Sequence, residues 1–402
     1  MTTGRDLREL RESRGLSLDE MASVTTVSKG HLSRVERGER QVTPALVLAY
    51  EMALGVPVAA TTDTDDEGAL AGTVNDVRRR ELLGSIAAAS LGTAALDPIA
   101  RIFETYEMPP ARVGLADVQA IERATELYMS MDLARHGDVA AAMASGVLRW
   151  ATSLAKGSMD TAVRERLRSA MGLLADRLGW NTFDAGSSPR AVQLLTFALD
   201  AAAKGPDRDL RAHIMLDLST VLTDMGRPAD GVEILRMALG DERISSAEQA
   251  NLHAVAARHC AVAGDIEAGL RHVQRAEAAL ERETAALAPP WARQITFSPG
   301  HHDSALGLAL FALGDDVRAR ERLTAAVEHL DPGRTRTGLR CLARLAVLDL
   351  KAGDHEGGVE RVRYVAQTAS DVQSTRIAAD IKMMMESAKR YGLQEQVADH
   401  VR

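Results

Sequence analysis

The chain has 402 residues, of which 46% are hydrophobic but only 3% aromatic, with 12 prolines and a formal net charge of -8. That length exceeds what one core usually serves, so a small domain beside a larger one is expected, and the scarcity of aromatics and prolines argues for long amphipathic helices over a β-sandwich or barrel. The acidic balance excludes a protein that coats nucleic acid through bulk positive charge, so any contact with DNA must be local.

An all-α protein is therefore expected. Cys260 and Cys341 are the only cysteines; they form neither a disulfide framework nor a zinc-ligand spacing, which points to a reducing cytoplasm. The charged amphipathic opening from Arg5 to Arg14 is unlike a signal peptide. Arg79 and Arg80, followed by the small apolar run Gly84 to Leu96, superficially match a twin-arginine export signal, but the match is internal and too short to span a membrane. A buried connecting helix is the expectation there, with no membrane association.

Taken in chain order, the first 58 residues read as five short helices. Leu7 to Arg14 is amphipathic, Gly15 breaks it, and Ser17 restarts a helix with Glu20 three residues on, the pattern of a capping box. Val27-Ser28-Lys29-Gly30-His31-Leu32-Ser33-Arg34-Val35-Glu36-Arg37-Gly38-Glu39-Arg40 follows. Met21, Ala22, Val27, Leu32 and Val35 are expected to pack the two helices, and Thr43-Pro44 should start a fourth helix running from Ala45 to Leu54. Together these features resemble the Cro/repressor-type, or xenobiotic-response-element, helix-turn-helix family over about 55 residues. The resemblance implies that the helix from Ser28 to Glu36 enters the major groove of double-stranded DNA. Lys29, Gly30 and Arg34 then stand where the family contacts bases, and Ser28 where it holds a phosphate. His31, Ser33, Arg37 and Arg40 are candidates for phosphate or flanking contacts. Leu18 occupies a position where many relatives carry a phosphate-touching glutamine.

Residues 59–76 contain the polar acidic run Thr61 to Glu67 and are expected to form a solvated linker. A connecting helix is expected over 77–110, ended by Pro109 and Pro110. From 111 to 402 the chain carries a weak repeat. Gly137, Gly226, Gly264, Gly314 and Gly353 are each followed five positions later by Ala142, Gly231, Gly269, Ala319 and Gly358. Glycine supplies a left-handed C-cap, the aspartate that often follows it caps the next helix, and the small residue lets two helices approach. The pattern resembles the tetratricopeptide repeat. That resemblance extends to a small residue seven positions before the turn glycine (Gly172 before Gly179, Gly307 before Gly314, Ala257 before Gly264) and to Ala238, Ala276 and Ala326 twelve positions after it. Inserts are expected at Asn181 to Pro189 and Pro289 to Gly300. Six hairpins and a terminal helix from Arg376 to Arg390 give a tetratricopeptide-like α-solenoid.

In that repeat the position thirteen before the turn glycine faces the concave groove, as do those three and seven further on. The count yields Arg166, His213, Asn251, His301 and Arg340, with Thr220, Arg258 and Ser304 at the later positions. This polar, partly basic ladder is the candidate ligand site, and the segment Trp291 to Ser304 is a candidate wall for it. No Walker loop, nucleophile elbow or His-Glu-x-x-His pair is present, so no enzyme, cofactor or metal is expected; His301-His302-Asp303 cannot chelate alone, because neighbours on a helix diverge by about 100°. A repressor-type domain ahead of such repeats resembles the peptide-pheromone-responsive regulators of Gram-positive bacteria and their actinobacterial relatives. The resemblance implies a homodimer on an inverted-repeat operator, responding to a peptide or small-molecule effector. A protein-interaction adaptor tethered to DNA is the alternative. The methionines at 383–385, on the outer face of the terminal helix, are candidates for the dimer contact.

Overall fold

Thr3 starts the first helix by exchanging hydrogen bonds with Asp6: its hydroxyl accepts the Asp6 N–H at 3.3 Å, and its own N–H donates to the Asp6 carboxylate at 2.6 Å. Ser17 and Glu20 do the same for the second, at 3.2 and 2.7 Å, as their spacing leads one to expect. The resulting helices are α1 (Gly4–Ser13), α2 (Leu18–Thr25) and α3 (Lys29–Glu36). Leu7, Met21, Leu32 and Val35 are fully buried between them together with Tyr50 and Leu46, and Ala22 and Val27 pack against this cluster. Each large aliphatic side chain so buried contributes about 2 kcal/mol.

The computed structural model describes residues 3–25, 27–42, 46, 50, 86, 112–133, 137–282, 288–370, 372 and 374–398. They belong to two compact units, Met1–Leu82 and Leu83–Arg402. Most of the expected fourth helix of the first unit lies outside the described residues, although Leu46 and Tyr50 are helical and buried. The linker expected over 59–76 lies outside them, as does the connecting helix expected over 77–110, Ile86 excepted.

The second unit is a succession of helical hairpins. Its helices are α4 (Leu115–Leu133) and α5 (Gly137–Leu154), α6 (Thr161–Asp184) and α7 (Ser188–Ala203), α8 (Arg208–Asp224) and α9 (Pro228–Ala238), α10 (Ser246–Val262) and α11 (Ile266–Leu280). A short helix α12 (Pro290–Gln294) intervenes before α13 (His301–Leu313) and α14 (Asp316–His329), α15 (Thr335–Ala352) and α16 (His355–Ala369), and the terminal α17 (Thr375–Arg390) and α18 (Gln394–Ala398). Among the described residues there is no strand, only an isolated bridge between Arg112 and Ser158. Turns at Gly186, Gly226, Gly264, Gly314 and Gly353 have φ between 79° and 93°. That region disfavours any residue with a Cβ. Asp265, Asp315 and Asp354 then cap the following helices with their carboxylates.

Several expectations for this unit need correction. Gly179 is not a turn residue: it lies inside α6, and the turn is at Gly186, seven residues later. Gly172 and Gly179 are instead positions of close approach. A Cβ at Gly172 would fall 2.9 Å from the Ala202 side chain, and one at Gly179 2.9 Å from Leu195. The expected insert from Asn181 to Pro189 is accordingly the last turn of α6, the turn at Gly186 and the first residues of α7. Gly137, likewise, opens α5. The methionines of α17 do not form an open stripe either, since Met384 is fully buried in the chain's own core and Met383 and Met385 pack against it.

The first helices of successive hairpins, α6, α8, α10, α13 and α15, lie side by side, and α15 is followed by α17. The row curls until its ends meet. At the C-terminal end of α6, Asp184 accepts hydrogen bonds from Arg336 at the start of α15 (2.6 Å) and from Ser374 (2.7 Å) and Arg376 (2.8 Å) at the start of α17.

Candidate functional site

In the N-terminal unit the candidate DNA-reading face is α3. Its position is fixed from beneath by Glu36, whose carboxylate accepts two hydrogen bonds from the buried Arg11 guanidinium, at 2.7 and 2.6 Å, and one from the Tyr50 hydroxyl at 2.6 Å. On the outer side Ser28, Lys29, Gly30, Arg34, Arg37 and Arg40 are exposed and His31 and Ser33 half-buried. Lys29 pairs with Asp19 at 2.6 Å and Arg37 with Glu39 at 2.7 Å, while Arg40 reaches His31 at 3.3 Å. Such exposed pairs are worth little and open readily toward a phosphate. The Arg34 side chain makes no hydrogen bond or ion pair among the described residues, its charge acting on Glu39 only from beyond bonding distance. Nothing lies within 4 Å of a Cβ built on Gly30, so the backbone there is open to solvent.

The second unit holds a cavity of about 200 Å³ inside the curl of inner helices. His213, Thr220, Asn251, Arg258, His301, Ser304 and Arg340, seven of the eight residues of the groove ladder, line it. Arg166 does not: its side chain is 46% exposed and bonded in a fork to Glu122 at 2.7 and 2.8 Å. The misplaced turn explains the error. Thirteen residues before Gly186, rather than before Gly179, is Leu173, and the positions four and seven further on are Arg177 and Trp180, both of which do line the cavity.

The wall is built by side chains from several helices. Gly300, in the left-handed region at φ 71°, begins α13 so that His301 is its first residue. His301 Nε2 donates to Asn251 Oδ1 at 3.1 Å, Asn251 donates to Glu248 at 3.4 Å, and Glu248 accepts from His213 Nδ1 at 3.1 Å and from Thr296 at 2.8 Å. This buried chain of hydrogen bonds ties α8, α10 and α13 together. Gln294 and Ile295, at and just beyond the end of α12, add to the lining, so the Trp291 to Ser304 segment does form part of the wall. Trp291 itself is anchored by a hydrogen bond to Asp207 at 2.8 Å and packs on the His213 ring.

Electrostatically the cavity is dominated by arginines. Besides Arg258 and Arg340, it is lined by Arg177, Arg334, Arg336 and Arg376, none of which the groove count identified. Burial lowers Arg258 to about 10, with Arg340 adding to the effect. Burial also acts to depress His213, but Glu248 and Asp217 outweigh it and lift the imidazole to about 9. His301 is held well below the ordinary histidine range by burial and by Arg334. Asp176, His213 and Asp217 bring three metal-ligand atoms within 4.8 Å. There the positive charge comes from Arg177, which bonds both Asp176 and Asp217.

The chain's N-terminal unit is a helix-turn-helix domain: residues 3–63 match the family model of that description. Among solved structures the chain is similar to PlcR of Bacillus thuringiensis, crystallised in complex with the peptide PapR7 and DNA, with a TM-score of 0.32 and 11% identity over 80% of this chain and 92% of that one. No curated protein matches the sequence.

Proposed function

We propose that this chain is a sequence-specific DNA-binding transcription regulator, a cytoplasmic homodimer whose helical-repeat unit takes a peptide or small-molecule effector into the arginine-lined cavity. One observation carries the DNA-reading half. Arg34 stands exposed on the second helix of a helix-turn-helix pair, its side chain without a hydrogen bond or ion pair among the described residues, while Lys29, Arg37 and Arg40 beside it are each engaged. An arginine so placed suits the two acceptors of guanine in the major groove, with Lys29 beside it and Ser28, His31, Ser33, Arg37 and Arg40 positioning the helix on phosphates. The effector half is supported by the cavity. An effector that favours one curl of the helical row would bias operator binding by about 1 to 3 kcal/mol. The operator is an inverted repeat with half-sites about one helical turn apart.

The test is selection of an operator from random duplexes with the full chain, followed by binding of variants at fixed salt. Arg34→Ala costs about 1 to 3 kcal/mol and relaxes one base preference, whereas Arg37→Ala weakens all sequences alike. Unchanged affinity and base preference in Arg34→Ala would show that α3 is not the reading helix.

A further inference from the structure

The arginines around the cavity are not equivalent. Arg177, Arg258, Arg336, Arg340 and Arg376 each have a carboxylate oxygen within 3.0 Å, supplied by Asp217, Asp224, Asp184, Asp380 and again Asp184. Arg334 has none among the described residues. Its Nη1 donates to the carbonyl of Ile295 at 3.2 Å and to the Ser298 hydroxyl, and its buried Nε meets no acceptor. Burial, with Arg177 nearby, lowers this guanidinium to about 10, which leaves it charged at neutral pH. Asp331 acts on it only from beyond bonding distance; a largely desolvated cation without a bonded counter-ion is costly, and an anion beside it removes that cost.

The surroundings of Arg334 favour the same kind of guest. It is the N-cap of α15 and offers no side-chain acceptor to that helix, whereas α6, α8, α10 and α17 are capped by Asp160, Asp207, Ser245 and Ser374. Arg336 and Thr337, in the first turn of α15, line the cavity next to it. The N–H groups of a first turn attract negative charge. The lining also includes the apolar side chains of Met129, Trp180, Leu216 and Leu308.

We infer that the cavity binds an organic carboxylate, with the anionic head between Arg334 and the first turn of α15 and an apolar body against Trp180, Leu216 and Leu308. This rests on the cavity being the effector site, and it names the chemistry of the effector. One guanidinium without a bonded carboxylate matches a single negative charge, and a cationic guest would find in the lining only the Asp217 carboxylate, already held by Arg177. Two sources offer that chemistry, a small aromatic or aliphatic acid and the free C-terminus of a short apolar peptide.

The full chain is titrated calorimetrically with two acid and amide pairs, 1-naphthoate against 1-naphthamide, and acetyl-leucyl-phenylalanine against its C-terminal amide. At least one acid binds the unmutated chain about tenfold more tightly than its amide, a difference of about 1.4 kcal/mol. The pair that shows the preference identifies the source. Arg334→Gln brings that acid down to the affinity of its amide, while Arg166→Gln, outside the cavity, keeps the preference. Equal binding of acid and amide in both pairs overturns the inference, as does absence of acid binding up to about 5 mM or a preference that survives in Arg334→Gln. The comparison on the unmutated chain depends on no variant folding. Operator binding measured on the same preparation bears separately on the regulator assignment, which fails only if sequence-specific DNA binding is absent.

Discussion

Asp184 and Arg376 are joined by a 2.8 Å hydrogen bond although 192 positions separate them in the chain. Burial acts to raise the Asp184 carboxyl, but Arg376, Arg336 and the Ser374 hydroxyl outweigh it and hold it at about 2. A carboxyl depressed from its usual 3.8 contributes stability that is present above that value and lost as pH falls toward 2. The contribution is about 2 kcal/mol. Asp184→Asn should therefore lower the stability of the helical-repeat unit by about 2 to 4 kcal/mol at pH 7 and flatten its acid limb. Denaturant unfolding at pH 7, 4 and 3 measures both, and an unaltered acid limb in the variant would refute the assignment.

The sign reverses for His213. Its imidazole, lifted from 6.5 to about 9, gives stability that is present below pH 6.5 and disappears as pH rises through 9. Unfolding free energy of the second unit should fall by about 2 to 3 kcal/mol between pH 6 and pH 9. His213→Gln removes most of that slope, and an NMR titration of the ring places its midpoint above the ordinary histidine range. A midpoint at or below 6.5 would mean that the Glu248 contact does not hold the proton.

In the first unit the Arg11–Glu36 pair is nearly inaccessible, with side-chain exposures of 7% and 3%. Breaking one side of such a pair leaves the other charge buried, at about 3 to 5 kcal/mol. Glu36→Gln is expected to loosen residues 3–42 selectively, read as faster amide exchange and loss of operator binding, with the melting of the helical repeats unchanged. Native exchange in α1 to α3 of the variant would contradict it.

Arg258 and His301 sit in the cavity wall, one bonded to Asp224 at 3.0 Å and the other to Asn251 at 3.1 Å. Arg258→Ala and His301→Ala are each expected to abolish the change in operator affinity that a cavity ligand causes in the unmutated chain. Gel-shift titration with and without the ligand checks this, and a full response in both variants would remove the cavity from the signalling path.

The fold was legible because its signals are local. Ser17 and Glu20 announce α2 at a spacing of three, and Gly264-Asp265, Gly314-Asp315 and Gly353-Asp354 each announce a turn and the helix behind it. The candidate site was legible only as far as the turns were placed correctly. Gly179 resembles a turn glycine in sequence, but its role is to admit Leu195 in close packing, the role Gly307 has against Leu323 about two helical turns ahead of Gly314. That slip of seven residues exchanged Arg177 and Trp180 for Arg166. Arg334, Arg336 and Arg376 were beyond any such count, since they lie in the first turns of α15 and α17 and reach the cavity only because the row of helices curls back on Asp184. Gly4 was equally silent: a Cβ there would come within 1.8 Å of the Val35 carbonyl oxygen, a closeness set by tertiary packing alone.

The curl also fixes an order in time. Arg376 belongs to the cavity wall and to the contact that shuts the row, so both wait until synthesis has passed residue 376. A ribosome adds about 5 to 20 residues per second, so the helix-turn-helix unit emerges on the order of tens of seconds before the cavity can be completed. During that interval the nascent chain can offer α3 to DNA without any means of registering an effector.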